Sequence, residues 1–110
     1  MHSSDNRVTQ GEIGKYLELD TGVDPNDALL DSAPVGGRIY YKKPNGTSAY
    51  WVANVIIGDS GNYELTYVSV SGDLDTKGVW ILHTALLFSN SRIVYGAPVA
   101  MKVWALFERE

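Results

Sequence analysis

The run VWILHTALLF, Val79 to Phe88, contains no Asp, Glu, Lys or Arg. A strand with one wet face alternates apolar and polar side chains. Here one parity carries Trp80, Leu82, Thr84, Leu86 and Phe88, and the other Val79, Ile81, His83, Ala85 and Leu87. Both parities are apolar. In a two-layer protein each sheet offers only one side to the core. The second side therefore needs a cover, from the chain itself or from another chain.

The rest of the sequence sets this strand in an all-β chain. Seven Tyr, three Trp, eleven Gly and many Val, Ile and Thr favour strands over helices. At 110 residues, with 45% hydrophobic and 20% charged residues, residues 1–110 read as one globular domain. Residues 1–10 are polar and read as a flexible or partner-ordered tail. Lys15–Gly22 alternates Tyr16 and Glu18 with Leu17 and Leu19, and reads as the first strand. Asp24-Pro25-Asn26-Asp27 suits a turn or a single helical turn capped by Asp24.

Pro44-Asn45-Gly46 between two β-rich runs marks a hairpin with arms Arg38–Lys43 and Thr47–Ile57. Further strands are expected over Asn62–Val70, Val79–Phe88, Arg92–Tyr95 and Pro98–Phe107. Turn signals roughly every 8–12 residues give an immunoglobulin-like antiparallel β-sandwich of about seven to eight strands.

Chemistry is thinly represented. The net charge is −4 and the nine Lys and Arg are scattered, which disfavours nucleic acid as a partner. The absence of Cys removes disulfides, thiolate catalysis and thiolate metal sites. The N-terminus lacks the apolar core of a secretory signal, and no run is long enough to span a bilayer, so synthesis in the cytoplasm and no membrane role are expected.

His83 sits among apolar residues without companion ligands, and reads as a hydrogen-bonded core or interface histidine. Asp20, Asp24, Asp27 and Asp31, and separately Asp73 and Asp75, lack calcium-loop spacing and read as turn makers. No catalytic residue, metal site or cofactor is assigned, and the chain is expected not to be an enzyme. Tyr40, Tyr41, Tyr50, Trp51, Tyr63 and Tyr67 fall in neighbouring strands. Alternation puts at most half of them on one face, which favours core plus interface over a sugar-stacking platform.

The segment LTYVSVSGDLDTKGVW resembles the strand-E-to-F corner of immunoglobulin-like domains. Leu74 is placed to plug the core's open end, Asp75 to bond backbone in the turn, Gly78 to allow close approach and Trp80 to enter the core. Trp80 lacks the hydroxyl of a tyrosine corner. More broadly, Lys43-Pro44-Asn45-Gly46-Thr47, the corner Gly72–Trp80 and the closing Val-x-Val strand are similar to those of small bacteriophage proteins. These resemble the N-terminal immunoglobulin-like domain of phage baseplate upper proteins, with Asn45 in place of an Asp.

The likeness spans about residues 15–107. It implies a structural virion part at the tail, baseplate, neck or head, with other virion proteins and copies of itself as partners. Baseplate upper proteins continue into further domains, whereas this sequence ends soon after its last strand; a free-standing module would act by assembly. The competing expectation is a carbohydrate-binding sandwich used in host attachment. Of the two parities of the central strand, Trp80/Leu82/Leu86/Phe88 is assigned to the core. Ile81, His83, Ala85 and Leu87 are assigned to a docking surface.

Overall fold

The computed structural model describes residues 7–27 and 32–109. Eight strands account for its regular structure: β1 (Val8–Thr9), β2 (Tyr16–Asp20), β3 (Gly36–Lys42), β4 (Ser48–Ile57), β5 (Tyr63–Val68), β6 (Gly78–Leu87), β7 (Ile93–Tyr95) and β8 (Val99–Trp104). Among the described residues there is no α-helix. They are hydrogen-bonded in the order β1-β8-β6-β3-β4-β5-β2, with β7 added to β6 beyond β8.

β4 makes this one path into two layers. It pairs with β3 through Ala53 and with β5 from Asn54 onward. The larger sheet is thus β1, β8, β6, β3, the first half of β4, and β7; the smaller is the second half of β4, β5 and β2. The result is an immunoglobulin-like β-sandwich, antiparallel except that β1 runs parallel to β8. The path does not close. β2 and the first half of β8 flank an open seam, a cavity of about 280 Å³ lined by Leu17, Leu19, Leu82, Val99 and Met101 among others.

Within each strand the period-2 pattern decides the buried face. Ile39, Trp51, Leu65, Trp80, Leu82, Leu86 and Val103 are buried between the layers. Gly37 belongs to the same inner face because a Cβ there would stand 2.4 Å from a Leu65 methyl of the opposite sheet.

The hairpin and the corner meet at one end. The hairpin turn is the three-residue loop Pro44-Asn45-Gly46 that the expected arms leave between them. Gly46 N–H donates to the Lys43 carbonyl at 2.9 Å and Lys43 N–H to the Thr47 carbonyl at 2.8 Å. Only Gly46 adopts positive φ, 91°; Asn45 instead accepts the Thr47 N–H on its side-chain oxygen. Pro44, with its φ fixed near −65°, sets the first turn position, and that selects the three-residue loop.

In the corner Leu74 is buried, and Trp80 has no exposed surface. Gly78 has φ +120°, and a Cβ on it would stand 2.7 Å from the Pro44 ring. The corner therefore packs directly on the hairpin. Trp80 replaces the missing hydroxyl with its indole N–H, which donates to the Thr76 carbonyl at 2.8 Å.

Both corner acids were expected to make turn bonds, and Asp75 also does more. Asp73 ties the turn, accepting the Val70 N–H at 2.8 Å and the Tyr67 hydroxyl at 2.5 Å. Asp75 also reaches across to the hairpin, 2.7 Å from Lys43 Nζ. That bond, with one from the Thr76 hydroxyl, lowers the Asp75 pKa. Lys43 is close enough to claim this carboxylate because Gly78 lets the two turns touch.

Two terminal expectations also change. Residues 7–10, read as tail, hold β1 and cross the corner: Val8 is buried, Gly11 N–H donates to the Leu74 carbonyl, and Gln10 donates to the Asp75 carbonyl. Residues 1–6 of that tail, and Asp31 of the acidic loop, lie outside the described residues. At the other end, Phe107 does not extend the inner face of β8. It is 91% exposed, at φ +70°, in a turn closed by Glu108 N–H on the Ala105 carbonyl.

Two measurements probe the corner. Trp80→Ala should lower stability by about 3–5 kcal/mol, as for other buried aromatics, and Gly78→Ala by about 1–3 kcal/mol from its left-handed backbone alone; an unchanged denaturant midpoint for either would contradict this packing. The second concerns Tyr67, whose pKa is pushed up from 10 to about 12, by burial first and then by Asp73. The folded state keeps this proton longer than the unfolded chain, so the stability it provides is complete below pH 10 and lost as pH rises toward 12. The stability gap between wild type and Tyr67→Phe should shrink across that window in urea titrations; a constant gap would contradict the assignment.

Candidate functional site

The outer face of the larger sheet holds a patterned surface. β3 contributes Arg38, Tyr40 and Lys42, the positions alternate to the buried Ile39. Register then fixes their neighbours. Tyr40 lies between Tyr50 of β4 and His83 of β6; Lys42 lies between Ser48 and Ile81; Arg38 lies between Val52 and Ala85. From β7, Tyr95 stands opposite Ala85.

These side chains contact one another. Arg38 Nη1 donates to the Tyr40 hydroxyl at 3.0 Å, and its guanidinium lies 4.5 Å from the Tyr50 ring centre. Tyr40 packs 5.3 Å from Tyr50 and 6.0 Å from Tyr95, with ring planes inclined at 52° and 56°. A planar cation over an aromatic face is favourable, and hydrogen bonding to Tyr40 fixes its orientation. Beside this cluster lies a concavity of about 480 Å³, lined by Tyr40, Lys42, Ser48, Tyr50, Ile81 and His83 among others. Its size falls in the roughly 300–1,000 Å³ range of ligand and anchor sites.

The surroundings are unusually apolar for a wet surface. Val52 is 74% exposed, Tyr95 58%, and Val79, Tyr50, Ile93 and Ile81 between 40% and 52%. Their sharing one face matters more than their number, since single exposed apolar residues are ordinary.

Of the four residues expected to form this surface, Ile81 is exposed, and His83 and Leu87 are half-buried. Ala85 is a correction: it has no exposed surface. Arg38 and Tyr95 flank it in register, and side chains of that reach leave a single methyl no access to solvent. His83 Nδ1 lies 3.1 Å from the Gly96 carbonyl. A carbonyl can only accept, so Nδ1 carries the proton in that bond. The histidine is held by backbone, as its apolar setting suggested.

The aromatic residues divide as alternation requires. Tyr40 and Tyr50 face out; Tyr41, Trp51 and Trp80 pack inside, with Trp51 stacked on Tyr67 at 4.9 Å and 5°. Arg38 and Tyr95 were not singled out from sequence. Arg38 was findable, since it shares Tyr40's parity in the same strand. Tyr95 was not, because its place depends on β7 pairing with β6.

Among the described residues no three His, Asp or Glu side chains gather as a metal set. No family model matches the chain, and no curated protein matches it. Among solved structures the chain is similar to the crystal structure of CopC from Methylosinus trichosporium OB3b, at 15% identity and a TM-score of 0.48, over 100% of this chain and 95% of that one.

The burial pattern gives a direct check. Ala85→Leu should cost about 1–3 kcal/mol through overpacking, whereas Val52→Glu on the same face should cost about 1 kcal/mol or less. Equal losses in chemical denaturation would mean that the face is not arranged as described.

Proposed function

We propose that this chain is a non-enzymatic structural part of a bacteriophage virion, and that it works by docking the outer face of its larger sheet on another virion chain. The observation that carries the docking is the set of exposed apolar side chains on this face, Tyr50, Val52, Val79, Ile81, Ile93 and Tyr95, disposed around Arg38, Tyr40 and Lys42 and beside a concavity. A surface of this kind is costly to leave in water and is ordinarily a protein contact. Tyrosine and arginine at its centre are the residue types that anchor interfaces.

The virion setting draws on the resemblance of the Lys43–Thr47 hairpin and the Gly72–Trp80 corner to those of baseplate upper proteins. Both segments are turns here, and they pack on each other through Gly78 and Pro44.

Carbohydrate binding is the second reading, favoured by Tyr40 and Tyr50 lining the concavity beside Lys42 and Ser48. The ring geometry counts against it. Rings inclined at 52° and 56° do not present the flat platform on which successive sugars stack.

The test is incorporation. A tagged chain supplied during phage growth should co-purify with particles in fixed proportion. A Val52→Glu, Ile81→Glu double variant, folded when isolated, should be left out. Absence of the wild-type chain from purified particles would overturn the virion reading, and glycan binding abolished by Tyr50→Ala would favour the second one.

A further inference from the structure

The two outer faces of the sandwich carry opposite charge. On the larger sheet, the outward strand positions hold Arg38, Lys42 and Lys102 and no carboxylate, although the chain as a whole is at −4. Glu108 reaches Lys102 at 3.4 Å, but from the turn beyond β8. On the smaller sheet the outward positions of β2 are Tyr16, Glu18 and Asp20, alternating with the inward Leu17 and Leu19. Those of β5 are Glu64, Thr66 and Val68, and the second half of β4 adds Asn54 and Ile56. None of these is Lys or Arg.

The acidic face is also partly apolar. Tyr16 is 55% exposed, Val68 50% and Ile56 39%, and register sets Tyr16 opposite Val68. Glu64 is covered, with the Ser60 hydroxyl on its carboxylate, so the accessible charges are Glu18 and Asp20. Asp20 has its pKa lowered, chiefly by the Gly22 N–H, and is charged at neutral pH.

From this segregation we infer that the occupant of the larger sheet's outer face is the smaller sheet's outer face of a second copy of this chain. The inference rests on the docking reading above and names its partner. Each face supplies what the other lacks: cations among exposed aromatic and aliphatic side chains on one, carboxylates among exposed aromatic and aliphatic side chains on the other. Contact of a face with its own copy would instead oppose like charges.

The molecule's extents of 47 × 32 × 21 Å leave broad faces, ample for the roughly 800 Å² per partner that a standard interface buries. Because the two faces differ, the contact is heterologous. Copies stack front to back and close into a ring or extend as a column, according to the rotation between neighbours.

Sedimentation velocity on the purified chain over a concentration series tests this. The wild type should form species larger than a dimer, weakened by salt because exposed charges are screened within about 10 Å at 0.1 M ionic strength. Lys42→Glu and Glu18→Lys, both at exposed positions, should each shift the association to at least tenfold higher concentration. An equimolar mixture of the two variants should regain assembly, since the altered front of one meets the altered back of the other.

Tryptophan fluorescence establishes that both variants remain folded. A wild type monomeric at every concentration overturns the proposal. So does an assembly that Lys42→Glu dissolves and Glu18→Lys leaves intact, which would mean that the front meets something other than the back. Failure here leaves the virion reading in place with a different chain on the face. A chain that assembles with itself but is absent from particles overturns the virion reading alone.

Discussion

Trp80 stands where the corner, the hairpin and both layers meet. Its indole N–H holds the Thr76 carbonyl, and its ring lies 5.3 Å from Tyr41 and 6.0 Å from Trp51. Trp51 stacks in turn on Tyr67, whose hydroxyl fixes Asp73 and through it the backbone at Val70. One continuous aromatic contact thus joins β6, β3, β4 and β5. Burial of four large rings provides most of the driving force at this end. The hydrogen bonds contribute less energy than direction, fixing how the chain leaves β5 and enters β6.

The close packing of hairpin and corner follows from that arrangement. Gly78 touches the Pro44 ring, and Lys43 pairs with Asp75 across the same junction. Asp75 is half exposed while Lys43 is largely covered, and the pair's main effect is on geometry. The hairpin and the corner therefore behave as one unit, leaving the sheet faces free for other contacts.

β4 sets the second constraint. By pairing with β3 and then with β5, it turns a single strand path into two layers and gives each an outer face of its own. The cations of β3 and β8 then share one side, and the carboxylates of β2 and β5 the other. In a flat sheet the same residues would lie on one surface, cations on one half and carboxylates on the other. The bend in one strand is what gives an acidic chain a face with cations and no strand carboxylate.

Alternation alone was enough to put Tyr40 and Tyr41, and Tyr50 and Trp51, on opposite faces, and Trp80 inside with Ile81 outside. A strand's two faces are set by the pleat, and the pleat is local. Turn chemistry was local too, so Gly46, Gly78 and the corner were legible, although the reach of Asp75 to Lys43 was not.

Pairing between distant segments was not local. That Val8–Thr9 joins β8 in parallel, that Arg38 and Tyr95 enclose Ala85, and that the charges segregate by sheet all depend on which strands become neighbours. The sequence by itself determined the class, the turns and the inward side of each strand. Only the tertiary structure decided what the outward sides form together, because register between strands far apart in the chain is chosen by packing of the whole core.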